Sequence, residues 1–276
     1  AMSRRQRQMC IRDRDIINTI KDFFQNSKFP MIILGDSILS TEEGENIHAI
    51  TKKIADSCNV IKEDWNGFNI LSPYASRAGG LEVGFIPTKN GFNAKQMKKK
   101  ILEKEIKLLF LIEADDFDIG EIDNESTKIV YVGHHGYKLA SRADFILPIT
   151  AFTEKKALYI NIEGRPQFTK KIIQNKGLAV DGWKIFRALA DKLGIKLKYN
   201  NHQQLLDRIF KLHPEISSIN EIVSAKCLKS NKSIPKIRSL KSSFLVKNYY
   251  QSCPITRASI NMANCIKRFS KKKKVL

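Results

Sequence analysis

The sequence between residues 128 and 165 alternates short apolar runs with polar turns. The first run, KIVYV at 128–132, leads directly into the segment GHHG at 133–136. A second run at 143–149 contains a proline near its end, and a third at 158–162 closes on Glu-Gly-Arg at 163–165. Runs of this length and β-branched content predict strands. Because open α/β sheets place ligands where strands end, the segment predicts a cleft beside GHHG.

Helical and strand patterns also alternate through the first half of the chain. Helical spacing of apolar residues predicts helices over 15–25, about 41–58 and 94–103. Alternation of strands with helices predicts an α/β fold with an open, mainly parallel sheet and helices on both faces. We expect sheet strands at 31–34, 107–112, 128–132 and 144–147. The residues expected to be buried in that sheet are Ile33, Leu109, Phe110, Val130, Phe145 and Leu147.

The pattern changes after residue 165. One helical stripe runs from Trp183 to Leu193 with Gly194 as its cap, and a second runs from Leu205 to Leu212. From about residue 215 the chain has no long periodic element. The predicted organisation is a non-native extension at 1–14, an α/β domain at 15–175, a helical segment packed on it at 176–214 and an extended basic tail at 215–276. The extension is set apart because RQRQMCIRDR, at 5–14, has no apolar stripe.

Charge is distributed very unevenly along this chain of net charge +20. Residues 1–164 contain 23 Lys or Arg and 23 Asp or Glu, whereas residues 165–276 contain 25 and 5. A neutral half followed by a basic half indicates either a tail that docks on other protein or a nucleic-acid-binding extension. No apolar run approaches the roughly 20 residues that span a bilayer.

Several motifs, in a fixed order, resemble a known family. The series GHHG, ADFILP, TEK and YINIEGRPQ is similar to the large iron–sulfur subunit of respiratory complex I, the NADH:quinone oxidoreductase. It resembles the molybdopterin oxidoreductases more distantly, and segments at 30–37, 69–84, 177–193 and 239–263 extend the likeness. The signature residues are Gly133, His134, His135, Gly136, Asp144, Pro148, Glu154, Asn161, Glu163, Gly164 and Arg165.

The resemblance implies a molybdopterin-oxidoreductase-like fold and a function as a C-terminal scaffold fragment of that iron–sulfur subunit. The parent subunit carries [4Fe–4S] and [2Fe–2S] clusters in its N-terminal part, so this piece would support electron transfer from NADH to quinone without catalysing it alone. Its partners would be other peripheral-arm subunits rather than nucleic acid. Its location would be peripheral, on the cytoplasmic face of a bacterial inner membrane or the matrix side of the mitochondrial inner membrane.

The cysteines predict that this chain binds no cluster. They lie at 10, 58, 227, 253 and 265, and no two of them are two or three residues apart. An iron–sulfur cluster needs four thiolates within reach of one another, usually supplied by closely spaced cysteines. We therefore expect no bound cofactor and no metal.

Three groups of residues have a chemical and a structural interpretation. His134 and His135 could bind a metal or transfer protons, but neighbours on an extended chain point apart, which favours a hydrogen-bonded pair left from a lost pterin site. Glu154 and Glu163 could form a catalytic carboxylate pair, although Arg165 more simply binds a carboxylate and fixes the Gly164 turn. The glycines at 79, 80 and 84 match no phosphate-loop pattern and predict backbone turns.

Two other functions remain open on the sequence. One is a fragment of a true molybdopterin-dependent oxidoreductase, whose metal ligand would lie outside this chain. The other is a nucleic-acid-binding protein that uses the basic C-terminal half, although that half has little aromatic interleaving and no recognisable nucleic-acid module.

Overall fold

A computed structural model describes residues 4–114, 117, 122, 125–223 and 249–270, without the side chains of 4–14, 137, 138 and 270. The helices are α1 Arg4–Asn26, α2 Asp36–Leu39, α3 Gly44–Ser57, α4 Arg77–Glu82, α5 Ala94–Leu102, α6 Tyr137–Ala140, α7 Gly182–Lys192, α8 His202–Leu212, α9 Pro254–Ala258 and α10 Ile260–Ser270. A 3-10 turn spans Pro214–Ser217. The strands are β1 Ile32–Gly35, β2 Phe68–Leu71, β3 Leu108–Ile112, β4 Lys128–Gly133, β5 Phe145–Pro148, β6 Leu158–Ile160 and β7 Pro166–Phe168. The predicted α/β class with open parallel sheets is confirmed.

The chain divides into two compact units. In the described residues, the first contains 4–75, Ile162–Arg165 and 222–223, and the second contains Ser76–Asn161, Pro166–Glu221 and 249–270. The four-part domain division predicted from the sequence stays a prediction. Most of the predicted tail, at 224–248 and 271–276, lies outside the described residues, as does Cys227.

The first unit contains a parallel pair of strands joined through α3. Strands β1 and β2 pair from Ile32↔Phe68 to Gly35↔Leu71. The expectation that residues 31–34 join the same sheet as the later strands is therefore wrong, because β1 pairs with a strand that the sequence pattern did not predict. That strand reads FNIL, and four residues with a central asparagine carry a weak strand signal.

The second unit contains a three-stranded parallel sheet in the order β3-β4-β5. Its central strand pairs Ile129 with Leu109 on one side and Val132 with Leu147 on the other. Alternate residues of the strands face opposite sides of the sheet, so each side has its own core. One contains Ile101 of α5 and Leu139 of α6 against β3 and β4, and the other packs Ile185 of α7 against β4. Helices on both faces of this sheet are confirmed.

The predicted core is confirmed only in part. Leu109 and Val130 are buried, and Phe110 and Leu147 are half-buried against the second core. Ile33 and Phe145 are 54% and 60% exposed, so their predicted burial is wrong. Phe145 lies on the edge strand β5, and Ile33 lies in a sheet of only two strands. An apolar strand residue is buried only where another layer covers its face.

The helices follow the apolar stripes closely, with one difference at the N-terminus. Helix α1 begins at Arg4 rather than at residue 15, because residues 4–26 contain neither glycine nor proline to end a helix. Helices α7 and α8 match their predicted stripes, and Gly194 has the left-handed φ of 71° that suits a helix cap. Within the described ranges, no helix is both long and apolar enough to cross a membrane.

Candidate functional site

The carboxyl ends of β3, β4 and β5 meet at one edge of the second unit's sheet. The GHHG segment follows β4, and Gly133 pairs directly with Pro148 of β5. The amide of Ile149 donates to the carbonyl oxygen of Gly133 at 3.2 Å, which continues the pairing beyond the strand. The sheet thus brings GHHG and Pro148 together at the edge where the strand pattern places a cleft.

The two histidines of this segment bind each other. His134 Nδ1 and His135 Nδ1 are 2.6 Å apart, and the ring planes make an angle of 84°. Two nitrogens at this distance share one proton, so one Nδ1 donates and the other accepts. Each histidine therefore uses on its neighbour a nitrogen that could otherwise bind a metal.

Glu113 and Lys155, which are not among the signature residues named above, complete this edge. Glu113 directly follows β3, and its Oε1 lies 3.1 Å from Lys155 Nζ and 4.0 Å from His134 Nε2. Glu113 adopts a positive φ of 50°, which turns the chain sharply after the strand. In the sequence, the signal for Glu113 is its position immediately after the apolar strand run. Lys155 is the last residue of the TEK motif, but only the fold brings it to Glu113, 42 residues earlier in the chain.

The two glycines of GHHG are required by the protein's own packing. A Cβ at Gly133 would lie less than 3.0 Å from the ring and hydroxyl of Tyr131, and one at Gly136 would overlap Ala140. Tyr131 is buried, and its hydroxyl donates to the carbonyl oxygen of His135 at 3.2 Å. The tyrosine therefore fills the space under the loop that the glycines leave open.

This arrangement does not fit a pterin cofactor at the GHHG loop. Glycines that hold a cofactor phosphate must leave their backbone accessible to the ligand. Here the space that Gly133 and Gly136 leave is taken by Tyr131 and Ala140.

Asp144 lies at the opposite end of the sheet from the histidines. One of its carboxylate oxygens accepts from the amide of Ile129 at 2.8 Å, and the other accepts from Lys128 Nζ at 3.0 Å. The hydrogen bond from the Ile129 amide, followed by that from Lys128, lowers the pKa of the Asp144 carboxyl. This family-signature residue joins the start of β4 to the start of β5 and has no contact that indicates catalysis.

Replacing Asp144 by asparagine should destabilise the protein at neutral pH but much less in acid. Because the folded state lowers this pKa, the carboxylate stabilises the fold above the ordinary aspartate pKa of about 3.9, and the stabilisation is lost as pH falls further. Urea midpoints of Asp144→Asn and of the parent chain should differ at pH 7, and the difference should shrink as the pH falls below about 3.9. Asp64→Asn, at an exposed position, is the matched control. A difference that does not depend on pH would contradict this role.

The remaining signature residues close turns. The Glu154 side chain is buried, and its carboxylate accepts from the amide of Ala151 at 3.0 Å within its own turn. The third apolar run forms β6, which pairs with β7 as an antiparallel hairpin instead of joining the parallel sheet. Asn161 follows β6, Gly164 turns the chain with a φ of 85°, and Arg165 Nη2 lies 3.6 Å from Glu163 Oε2.

The donors for a metal site are dispersed in the described part of the chain. No group of three His, Cys, Asp or Glu residues there could hold a metal ion. Cys58, Cys253 and Cys265 are free thiols. The glycines at 79 and 80 lie inside helix α4 rather than in turns, whereas Gly84 follows the helix with a left-handed φ of 72°.

Comparison with known proteins gives a consistent result. The profile of the molybdopterin oxidoreductase family matches residues 15–192. The chain is 34% identical to an NADH-quinone oxidoreductase subunit of Rickettsia prowazekii over 251 residues, which are 91% of this chain and 35% of the relative. It is 36% identical to the NADH-ubiquinone oxidoreductase 75 kDa subunit of Reclinomonas americana, covering 87% of this chain and 34% of that protein.

A third relative shows the same proportions. The mitochondrial NADH-ubiquinone oxidoreductase 78 kDa subunit of Neurospora crassa is 33% identical, over 87% of this chain and 32% of its own length. The chain thus spans about a third of the length of the curated relatives that it matches. The resemblance indicated by the sequence motifs is confirmed.

Proposed function

The chain belongs to the molybdopterin oxidoreductase family, and from that premise we propose that it is the C-terminal scaffold part of the iron–sulfur subunit of an NADH:quinone oxidoreductase. The observation that carries this proposal is the extent of the match to the rickettsial subunit and its 75 and 78 kDa counterparts. It covers 87% to 91% of the chain, well beyond the 15–192 range of the family profile. The segments after α7 therefore also fit that subunit.

The redox centres of such a subunit would lie in the two-thirds of the relatives' length that this chain does not match. The described cysteines at 58, 253 and 265 are free and far apart in sequence, and clusters require grouped thiolates. At the GHHG loop, Tyr131 and Ala140 fill the space beside the two glycines, which leaves no room there for a pterin. The role that remains is structural. The chain would hold other parts of the enzyme in place while electrons pass from NADH to quinone elsewhere.

The residues of the sheet edge support this role through rigidity rather than chemistry. Tyr131 fixes the loop after β4, Asp144 fixes the start of β5, and Lys155 holds Glu113 in its turn. Each of these contacts joins two segments of the second unit. A scaffold needs such contacts, because electron transfer between subunits depends on fixed distances. The partners would be other subunits of the peripheral arm, on the cytoplasmic face of a bacterial membrane or the matrix side of a mitochondrial one.

A fragment of a true molybdopterin-dependent oxidoreductase is the alternative that the family profile by itself also fits. Such a protein would place its cofactor at the carboxyl edge of the sheet. The filled space beneath the GHHG loop argues against that use of this edge. The two functions differ in metal content and in the enzyme that the chain completes.

The test uses a chimera. Residues 15–276 replace the corresponding part of the iron–sulfur subunit in a bacterium that depends on its NADH:quinone oxidoreductase, and a subunit truncated before that part is the control. We expect the chimera to restore NADH:quinone activity in membranes, whereas the truncation abolishes it. The isolated chain, purified from cells grown with iron and molybdate, should contain neither iron nor molybdenum in stoichiometric amount.

Three results would contradict the proposal. A one-to-one molybdenum content would favour the molybdopterin-dependent enzyme, and stoichiometric iron would assign a cluster to this chain. Saturable retention on DNA or RNA at near-physiological salt would favour a nucleic-acid-binding function of the basic half, because nonspecific phosphate contacts weaken steeply as salt rises.

A further inference from the structure

Helix α4 ends in a turn that fixes the backbone of an exposed aromatic residue. The amide of Gly84 donates to the carbonyl of Leu81 at 3.0 Å, and the amide of Phe85 donates to the carbonyl of Gly80 at 2.8 Å. With Gly84 at a φ of 72°, these two bonds form a Schellman motif. The amide of Ile86 donates in turn to the carbonyl of Gly84 at 2.8 Å, and Pro87 follows. Three consecutive backbone amides, at residues 84–86, are therefore hydrogen-bonded within the turn.

The side chain of Phe85 is left largely uncovered by the described part of the chain. In a Schellman motif, the apolar residue after the glycine usually contacts the helix residue five positions before it. That position is Gly80, where even an added Cβ would meet no atom within 4 Å. Phe85 accordingly remains 84% exposed, and the neighbouring Ile86 is 58% exposed. A rigid backbone thus presents two large apolar side chains to the surroundings.

An open apolar groove lies beside this turn, within the same compact unit. It has a volume of about 270 Å³ and is lined by Ser76, Gly79, Gly80 and Val83 of the α4 region, by β6, and by Ile209 and Ile216. Gly79 and Gly80 leave the α4 side of the groove open, because neither carries a side chain into it. An inserted apolar side chain would lose its contact with water there and would adjoin the Phe85 turn.

The chain that follows the turn is strongly basic. Residues 87–104 contain six lysines and a single acidic residue, Glu103. Glu103 and Glu105 pair with Lys99 and Lys100, whereas Lys89 and Lys95 form no ion pair in the described part of the chain. The six lysines outnumber Glu103 and Glu105, so net positive charge remains beside the apolar turn, and the complementary surface is acidic.

We propose that Phe85, Ile86 and the adjoining groove dock an amphipathic segment of a partner protein whose apolar side chains are flanked by carboxylates. This surface goes beyond the scaffold function and does not depend on it. Aromatic and aliphatic anchors would hold the partner, and the lysines would steer its approach. A concave groove next to the exposed pair accepts inserted side chains, a shape that favours a protein segment over a lipid surface.

Binding of two designed peptides to the purified 276-residue chain tests this proposal. The probe is a fluorescent amphipathic helix of about five turns with Leu and Trp on one face and Glu elsewhere, and its matched control replaces every Glu by Lys. We expect saturable binding of the Glu peptide alone. The variant Phe85→Ala/Ile86→Ala should weaken it at least about tenfold, and Lys89→Gln/Lys95→Gln should weaken it less and flatten its salt dependence. Leu178→Ala, at a side chain 87% exposed, should leave binding unchanged.

Four results would overturn the proposal, and thermal unfolding of each variant confirms that it is folded. The Glu and Lys peptides could bind equally, or the Leu178→Ala control could weaken binding as much as the double variant. The parent chain could bind vesicles of phosphatidylglycerol and phosphatidylcholine, and the Phe85→Ala/Ile86→Ala variant could fail to bind them. This surface would then be a membrane contact. Sedimentation could instead show self-association that the same variant abolishes, which would make a second copy the occupant.

Discussion

Replacing Gly133 by alanine should destabilise the protein by about 1–3 kcal/mol, the usual cost of inserting a methyl group into a filled core. The added Cβ would lie less than 3.0 Å from the Tyr131 ring, and Tyr131 is 2% exposed within the core that joins β3 and β4 to α5 and α6. The ring cannot move aside without displacing that core. The measurement is the urea midpoint of unfolding, which reports stability when the dependence of the unfolding free energy on urea concentration is unchanged.

A second glycine gives the matched control for this change. Gly80→Ala adds the same methyl group inside helix α4, where nothing lies within 4 Å, and should be neutral or stabilising by up to about 1 kcal/mol. A double-mutant cycle with Tyr131→Leu tests whether the Tyr131 ring is the group that the added methyl meets. Without the ring, Gly133→Ala should destabilise the protein much less. Equal effects of Gly133→Ala in both backgrounds would show that the loop, rather than Tyr131, needs the glycine.

Ile129→Ala should cost roughly 2–5 kcal/mol, the range for large-to-small changes in a close-packed core. Ile129 has no exposed surface and lies on the central strand β4 between β3 and β5. Its amide also donates to Asp144, but the substitution keeps that hydrogen bond. The loss therefore reports packing alone and is measured as the shift in the urea midpoint.

Phe145→Ala is the control, on the neighbouring strand of the same sheet. Phenylalanine is larger than isoleucine, so a core position would lose more from its truncation. Phe145 is 60% exposed on the edge strand β5, and we expect its replacement to cost clearly less than that of Ile129. If Phe145→Ala were the more damaging variant, the edge of this sheet would be covered in the folded protein.

The GHHG segment illustrates how packing within the protein can account for the glycines of a motif. Glycines at the end of a strand, such as Gly133 and Gly136, would suit a loop that approaches a cofactor. In the structure they make room for Tyr131 and Ala140 instead, and the histidines bind each other. Packing therefore accounts for both glycines without any ligand.

The sequence by itself determined the class of the fold, the positions of its main strands and helices, and the family. These properties depend on local signals. Strand runs such as KIVYV, helical stripes such as the one in α7, and capping glycines such as Gly194 act over a few residues and can be read directly from the chain. The motif order that identifies the family is likewise contained in the linear sequence.

Only the tertiary structure decided which strands are neighbours and which apolar residues are covered. β1 pairs with the unpredicted β2, and this divided the expected single sheet into two. Ile33 and Phe145 carry the same local signal as Leu109 and Val130, yet they are exposed. The contact of Lys155 with Glu113 likewise spans 42 residues. Pairing and burial depend on segments distant in sequence, and a local pattern contains no information about what those segments will cover.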